Sequence, residues 1–281
     1  MNTITNVDEL RIRTAGWRRA GEHIALVPTM GNLHEGHLDL VRKARQRAQR
    51  VAVSIFVNPL QFGPSEDFAA YPRTLVADTD KLEREAVDLV FAPTVEDVYP
   101  GGQRLQTRVE VPGLSDILCG ANRPGHFVGV ATVVCKLFNM VQPDRAVFGE
   151  KDYQQLLVIR RMTVDLSMPV EIVGAATVRE PGGLAISSRN GYLNSEERIR
   201  ASGLYGSLKQ AAEGLRGGAS VAEVEGRALS ELKRQGFVPD YFSVRRAADL
   251  DLPAPDEGEL VILAAAYLGK ARLIDNLRVT L

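Results

Sequence analysis

His23-Ile24-Ala25-Leu26-Val27-Pro28-Thr29-Met30-Gly31-Asn32-Leu33-His34-Glu35-Gly36-His37 passes from an apolar, β-rich run through a glycine-bearing turn into a helical pattern. Residues 23–29 read as a buried strand, and residues 38–49 repeat apolar side chains at helical spacing. The same alternation recurs outward from this unit. Strand-like runs at 51–57, 88–93, 145–149 and 170–177 are separated by helix-period segments at about 74–86, 128–141 and 153–166. Short apolar strands joined by helical crossovers predict a parallel sheet, hence an α/β, Rossmann-like doubly wound fold. In such sheets ligands bind beyond the carboxyl ends of the strands, so the loops starting at Pro28, Asn58, Gly149 and Val178 are expected to converge on the site.

The alternation stops at residues 179–190, where Pro181, Gly182 and Gly183 form a breaker cluster suited to a hinge or mobile loop. A domain boundary is placed there, giving domains 1–178 and 179–281. The second reads as a smaller C-terminal α+β domain, with polar helices at 195–215 and 221–235 and strands at 241–244, 260–267 and 271–276.

Composition narrows the function classes. The 281 residues carry 34 Lys plus Arg and 35 Asp plus Glu, a net charge of -1, so no global field favours nucleic acid or an anionic membrane. The longest strongly apolar run, residues 260–268, is about half a bilayer-spanning helix. The N-terminus carries Asp8, Glu9, Arg11 and Arg13 where a signal peptide would have an apolar core, and a cytoplasmic enzyme is expected. Cys119 and Cys135 form no CxxC pair and read as reduced thiols, with a disulfide as the alternative. The basic cluster at 42–50 alternates with small and apolar residues at helical spacing and reads as a solvated helix face, the alternative being an anion site.

Several constellations could carry chemistry. His34 and His37 stand one helical turn apart at a helix start, where unpaired N–H groups and the macrodipole already favour anions. Gly36 leaves room for a nucleotide to approach the backbone. A partly buried helix start or half a metal site is the alternative, although zinc needs more ligands than this stretch offers. Gly149-Glu150-Lys151-Asp152 follows a strand and opens a helix, which suits a phosphate or ribose; Asp152 and Gln155 also have the spacing of a capping box, which needs no ligand. Ile186-Ser187-Ser188-Arg189-Asn190 offers two hydroxyls and a guanidinium after flexible glycines, a pattern for a phosphate-gripping lid or for an ordinary solvated loop. Gln61 and Gln155 are uncharged groups able to recognise hydroxyls and carboxylates. Arg123-Pro124-Gly125-His126-Phe127 is a polar turn entering a helix and receives no role. The chain has neither a GxxxxGK[ST] loop nor GxGxxG, and no GxSxG elbow.

In this order, PTMGNLHEGH, SIFVNPLQF, YPRT, RPGHF, FGEKDYQQL and ISSRNGYL resemble the pantothenate synthetase family, the pantoate–β-alanine ligases of the HxGH nucleotidyltransferase superfamily. The resemblance extends over nearly the whole chain, to the C-terminal run at 268–276. It implies a two-step, AMP-forming acid–amine ligation: pantoate and Mg-ATP give a pantoyl adenylate and pyrophosphate, then β-alanine attacks the acyl carbon and AMP leaves.

Carried over residue by residue, the resemblance implies ATP binding by Met30, Gly31, Asn32, Leu33, His34, Glu35, Gly36 and His37, with Gly149, Glu150, Lys151, Asp152, Val178, Ile186, Ser187, Ser188 and Arg189. His34, His37, Lys151 and Arg189 are the implied catalytic group, with His37 the usual proton donor. Gln61 and Gln155 are implied to bind pantoate, and Gln61 also to lie near β-alanine. ATP is implied as a substrate with Mg2+, without a tightly bound organic cofactor, in a homodimer formed through the N-terminal domain. The second domain would serve as a lid. Where many members of the family have Asp-Gly-Leu-Ala, this chain has Gly182-Gly183-Leu184-Ala185, so the resemblance does not carry over how that loop is ordered, although Ser187, Ser188 and Arg189 remain intact. A nucleotidyltransferase that stops at adenylyl transfer, and a non-catalytic nucleotide-binding protein, are the competing functions.

Overall fold

The apolar runs of the first half of the chain form one parallel sheet in the computed structural model, which describes residues 1–63, 68–69 and 71–281. The described chain groups into two units, Met1–Glu150 with Val158–Ala176, and Lys151–Leu157 with Thr177–Leu281.

The first unit begins with β1 (Asn2–Ile4) and α1 (Val7–Arg19), then alternates β2 (Ile24–Thr29), α2 (Glu35–Arg45), β3 (Arg50–Ile55), α3 (Leu75–Arg84), β4 (Leu89–Phe91) and the single turn α4 (Val95–Val98). After α5 (Cys119–Asn122) come α6 (His126–Val141), β5 (Arg145–Gly149), α7 (Tyr153–Asp165) and β6 (Glu171–Ala175). The first residues of α7 belong to the second unit. The strands lie in the order β1-β4-β3-β2-β5-β6, all parallel. This is the doubly wound sheet expected from the sequence. Neither β1 nor α1 belongs to the alternating pattern read above.

Burial on both faces explains why these strands are almost continuously apolar. Ala25 and Val27 of β2, with Val51, Val53 and Val147, pack against Leu40, Val41 and Ala44 of α2 and Leu82 of α3. The alternate residues Ile24 and Leu26 are also buried and point to the opposite face, on the side of β2 where α1 and α6 pack. The basic cluster at 42–50, which runs from α2 to the start of β3, is not simply solvated. Arg42 pairs with Glu35 and Glu85, and Arg50 with Glu22 at 2.8 Å and Asp88 at 2.9 Å.

Strand β2 bonds to β3 on one side and β5 on the other, so the chain reverses its direction of travel across the sheet between these neighbours. The residues following β2 and β5, Met30 onward and Glu150, therefore leave adjacent carboxyl ends at the topological switch point, where open α/β sheets form their ligand crevice.

The second unit contains α8 (Ser195–Ala201), α9 (Gly203–Arg216), α10 (Val221–Arg234), β7 (Val238–Arg246), β8 (Glu259–Leu268) and β9 (Ala271–Thr280). Its sheet is antiparallel in the order β7-β8-β9. Leu204, Leu208 and Leu215 of α9 and Val224 and Leu232 of α10 share a core with Phe242, Val244, Ile262 and Ala264. The single helix expected over 195–215 is two helices. Ser202 separates them: its hydroxyl donates to Ile199 O at 2.8 Å, a local bond that competes with the helical pattern. Gly203 then passes so close to Gln235 that a Cβ would lie 1.8 Å from its Oε1.

Among the described residues no helix is long and apolar enough to cross a membrane, and Cys119 and Cys135 are free thiols.

One close approach within the first unit is testable. At Gly129 of α6 an added Cβ would lie 2.2 Å from the backbone oxygen of Leu60. Alanine gains about 1 kcal/mol over glycine in a helix interior, but overpacking against fixed backbone costs about 1–3 kcal/mol. Gly129→Ala should therefore lower stability in urea unfolding, and a variant more stable than wild type would contradict this packing.

Candidate functional site

The loop between β2 and α2 is shaped by contacts within the protein. Gly31 and Asn32 have φ of 79° and 51°, a left-handed pair that turns the chain abruptly. This turn aims two successive N–H groups at one side chain. Asp78, fully buried on α3, accepts from Asn32 N through Oδ2 and from Leu33 N through Oδ1, each at 2.8 Å. Thr74 Oγ1 donates to Asp78 Oδ2 at 2.9 Å, and Lys81 Nζ reaches Leu33 O at 2.7 Å. Thr29 Oγ1 secures the other end, donating to Ser54 O at 2.8 Å.

Helix α2 starts directly from this clamp, with His34 as its N-cap. The rings of His34 and His37 stack with centroids 4.0 Å apart. His34 N–H donates to His37 Nδ1 at 3.3 Å. An accepting Nδ1 puts the proton of the neutral His37 ring on Nε2, which is thereby a donor. Glu35, whose charge would oppose an anion at the helix start, is paired with Arg42.

Beyond β3, the chain makes a 3-10 turn at Pro59–Gln61 capped by Asn58. Asn58 is fully buried and uses both ends of its amide. Its Oδ1 accepts from Tyr99 Oη at 2.8 Å and Leu60 N at 3.2 Å; its Nδ2 donates to Gly129 O at 3.0 Å and to Gln61 Oε1 at 3.1 Å. Burial pushes the Tyr99 phenol well above its ordinary range, so it acts here as a donor. With Oε1 held by Asn58, the Nε2 group of Gln61 is the end left to recognise an acceptor.

In the second unit, Lys151 and Asp152 lie in the 3-10 turn Glu150–Asp152 that leads into α7. Asn276 Nδ2 donates to Lys151 O at 2.9 Å. Asp152 lies 3.9 Å from Lys151 Nζ. Gln155 is half-buried in the first turn of α7.

Lys151, Ser187, Arg189 and Asn190 line one cleft of this unit together with Arg272 and Asp275. The segment read as a hinge or mobile loop is a small hairpin. Arg179 bridges to Ala185, Ile186 N donates to Val178 O at 2.9 Å, and Glu180 N donates to Leu184 O at 2.8 Å. Arg179 anchors it through a bidentate pair with buried Asp275, at 2.6 and 2.9 Å, while its guanidinium lies 3.7 Å from the centre of the Tyr205 ring. Gly183 has φ 96° and a Cβ there would lie 2.8 Å from Tyr205, whereas one at Gly182 would meet only Ser202 at 3.9 Å. Gly183 is thus required by the turn, and Gly182 has space for a side chain.

Ser187 Oγ accepts from Arg189 N at 3.3 Å, opening the 3-10 turn Ser188–Tyr192. Arg189 is exposed and makes no ion pair among the described residues.

The structure thus gathers Met30 to His37 with Gly149 and Glu150 at the ends of adjacent strands of the first unit, and gathers Lys151, Ser187 and Arg189 in one cleft of the second. Gln61 belongs to the first unit and Gln155 to the second. The sequence gives no role to the side chains of Asp78, Asn58 and Tyr99, each of which has a partner more than forty residues away in the chain.

A family model described as pantoate-beta-alanine ligase matches residues 2–278. The chain is 59% identical to the pantothenate synthetase of Idiomarina loihiensis over 280 residues, covering 100% of this chain and 98% of the relative. It is 56% identical to that of Shewanella sp. strain MR-7, with 99% of both chains covered. Its fold is similar to the crystal structure of pantothenate synthetase from Thermus thermophilus, with a TM-score of 0.91, 49% identity and 99% of each chain covered. It is also similar to pantoate-beta-alanine ligase from Francisella tularensis complexed with beta-gamma ATP and β-alanine, with a TM-score of 0.82, 34% identity, and 99% and 97% of the two chains covered.

The clamp on the first loop predicts the effect of Asp78→Asn. An amide keeps the shape but turns a donor toward groups that are themselves donors, leaving a buried N–H unpaired at a cost of about 1–3 kcal/mol. Denaturant unfolding should show that loss, and unchanged stability would contradict the clamp.

Proposed function

The chain belongs to the pantoate–β-alanine ligase family, and from that premise we propose how it joins pantoate to β-alanine at the expense of ATP. A carboxylate is a poor acyl donor because its leaving group would be oxide. In the first step a pantoate carboxylate oxygen attacks the α-phosphorus of ATP, the bond to the bridging oxygen breaks, and pyrophosphate leaves. In the second, the neutral amine of β-alanine attacks the acyl carbon of the mixed anhydride, AMP departs with the bonding electron pair, and the amine loses a proton. Neither step needs an enzyme nucleophile, so catalysis rests on positioning and charge stabilisation.

The observation that carries this reading is the pre-shaped loop at the sheet's switch point, from which α2 opens with two stacked imidazoles. Met30 through His37 bind ATP, with His34 and His37 at its phosphates. His37 Nε2 donates to the α-phosphate as it becomes five-coordinate. Gly149, Glu150, Asp152, Val178 and Ile186 complete the nucleotide site, while Lys151, Ser187, Ser188 and Arg189 hold phosphate oxygens. Arg189, exposed and without an ion pair in its own unit, is suited to engage a ligand.

Gln61 and Gln155 bind pantoate, with Gln61 also near β-alanine. Mg2+ enters as part of the Mg-ATP substrate. Residues 1–178 form the ATP- and pantoate-binding domain and 179–281 the lid, in a cytoplasmic homodimer associating through the N-terminal domain.

Steady-state assay of pantothenate formation from pantoate, β-alanine and ATP tests these roles. His37→Ala and Lys151→Ala should each slow turnover by about 10²-fold, the scale for losing one preorganised donor. Gln61→Ala or Gln155→Ala should raise the KM for pantoate by roughly 10-fold or more, because a site that hydrogen-bonds its substrate's polar groups through fixed amides discriminates sharply, and should leave the KM for ATP within a few-fold. Near-wild-type rates in the first pair, or equal loss of ATP and pantoate affinity in the second, would contradict the assignment.

A further inference from the structure

Gln61 is held at its backbone as well as at its side chain. The 3-10 turn ends at Gln61, so the Gln61 carbonyl has no helical partner of its own. Two side chains from the following polar turn converge on that oxygen. His126 Nδ1 lies 2.9 Å from Gln61 O, and Arg123 Nη2 donates to the same oxygen at 3.3 Å. Arg123 Nη1 lies 3.0 Å from His126 Nε2. A guanidinium has donors only, so Nε2 must accept, and the proton of the neutral ring sits on Nδ1, where it donates to Gln61 O. All three distances agree on one tautomer.

Gly125 makes the arrangement possible: with φ of 80° it caps α6 in a left-handed conformation, so that His126 opens the helix while Arg123 reaches back to it. Arg123, His126 and Gln61 line one cavity of about 380 Å³ within the first unit.

We propose that His126 and Arg123 are positioning residues for Gln61. The carbonyl is fixed by two donors from one side and Oε1 by Asn58 from another. Together they set the direction in which the Gln61 Nε2 group meets pantoate. A turn that merely closed the chain would need one neutral donor; here a cation fixes the tautomer of an imidazole whose other nitrogen fixes the carbonyl. The proposal rests on the assignment of Gln61 to pantoate given above.

The test uses the full-length enzyme with His126→Ala, His126→Asn, His126→Gln and Gln61→Ala, measuring the KM for pantoate and for ATP, kcat and thermal unfolding. Asparagine carries its amide nitrogen near the position of Nδ1, whereas glutamine carries its own near Nε2. His126→Ala should raise the pantoate KM roughly 5- to 10-fold, the effect of one lost hydrogen bond, with the ATP KM within two-fold. His126→Asn should restore most of the loss and His126→Gln little of it.

Should His126→Ala fail to fold, the contrast between the Asn and Gln variants decides. Equal behaviour of Asn and Gln, proportional loss of ATP and pantoate affinity, or an unchanged pantoate KM in His126→Ala would overturn the proposal. If Gln61→Ala raises the pantoate KM while His126→Ala does not, only the positioning role falls. If Gln61→Ala leaves it unchanged, the assignment of Gln61 falls and takes the positioning role with it.

Discussion

The carboxylate of Asp78, buried under the loop that follows β2, fixes the geometry on which the candidate site depends. A buried charge is costly unless its oxygens are occupied. Here they accept from two successive N–H groups and from the Thr74 hydroxyl. That arrangement requires the left-handed pair at Gly31 and Asn32, and a Cβ at Gly31 would lie 3.1 Å from Asp78 Oδ2. Helix α2 therefore begins where the clamp ends, and its two imidazoles are oriented by protein contacts. Preorganised donors need no reorganisation as charge moves during reaction, which is what transfer at a phosphate demands.

The same strategy recurs with neutral groups at Gln61. A primary amide can turn end for end at small cost, exchanging donor for acceptor. In this chain Asn58 removes that freedom, and Asn58 is itself fixed at both ends by Tyr99, Leu60 and Gly129. Tyr99 thus lies two hydrogen bonds away from the Gln61 amide. Networks of this kind are stable only when every member is satisfied. The absence of a side chain at Gly129 is part of the design, since it lets α6 approach the turn that carries Gln61.

Much of the fold was legible because burial on both faces writes parallel strands as apolar runs separated by helices of crossover length. β1 was not legible: Asn2-Thr3-Ile4 is too short to show a period, and it is a strand only because β4 pairs with it. The 195–215 segment reads as one helix because Ser202 and Gly203 weaken a helix pattern without stopping it, and only the structure shows the Ser202 hydroxyl turned back onto Ile199 O where the two helices meet. Among the candidate site residues, His34, His37 and Lys151 stand out in the sequence by type and spacing. Those that hold them did not, because Asp78 looks like any carboxylate on a polar helix until the fold brings it to a loop some 46 residues earlier. The glycine pair at 182–183 pointed to freedom, yet the segment is a hairpin pinned by Arg179 and Asp275.

In the proposed reaction the acid becomes an acyl phosphate anhydride before the amine takes part. Pantoate-dependent exchange of labelled pyrophosphate into ATP, measured in the absence of β-alanine, decides that order. Reversible formation of the adenylate predicts label in ATP with pantoate alone and none when pantoate is omitted. Exchange that appears only when β-alanine is added would contradict that order.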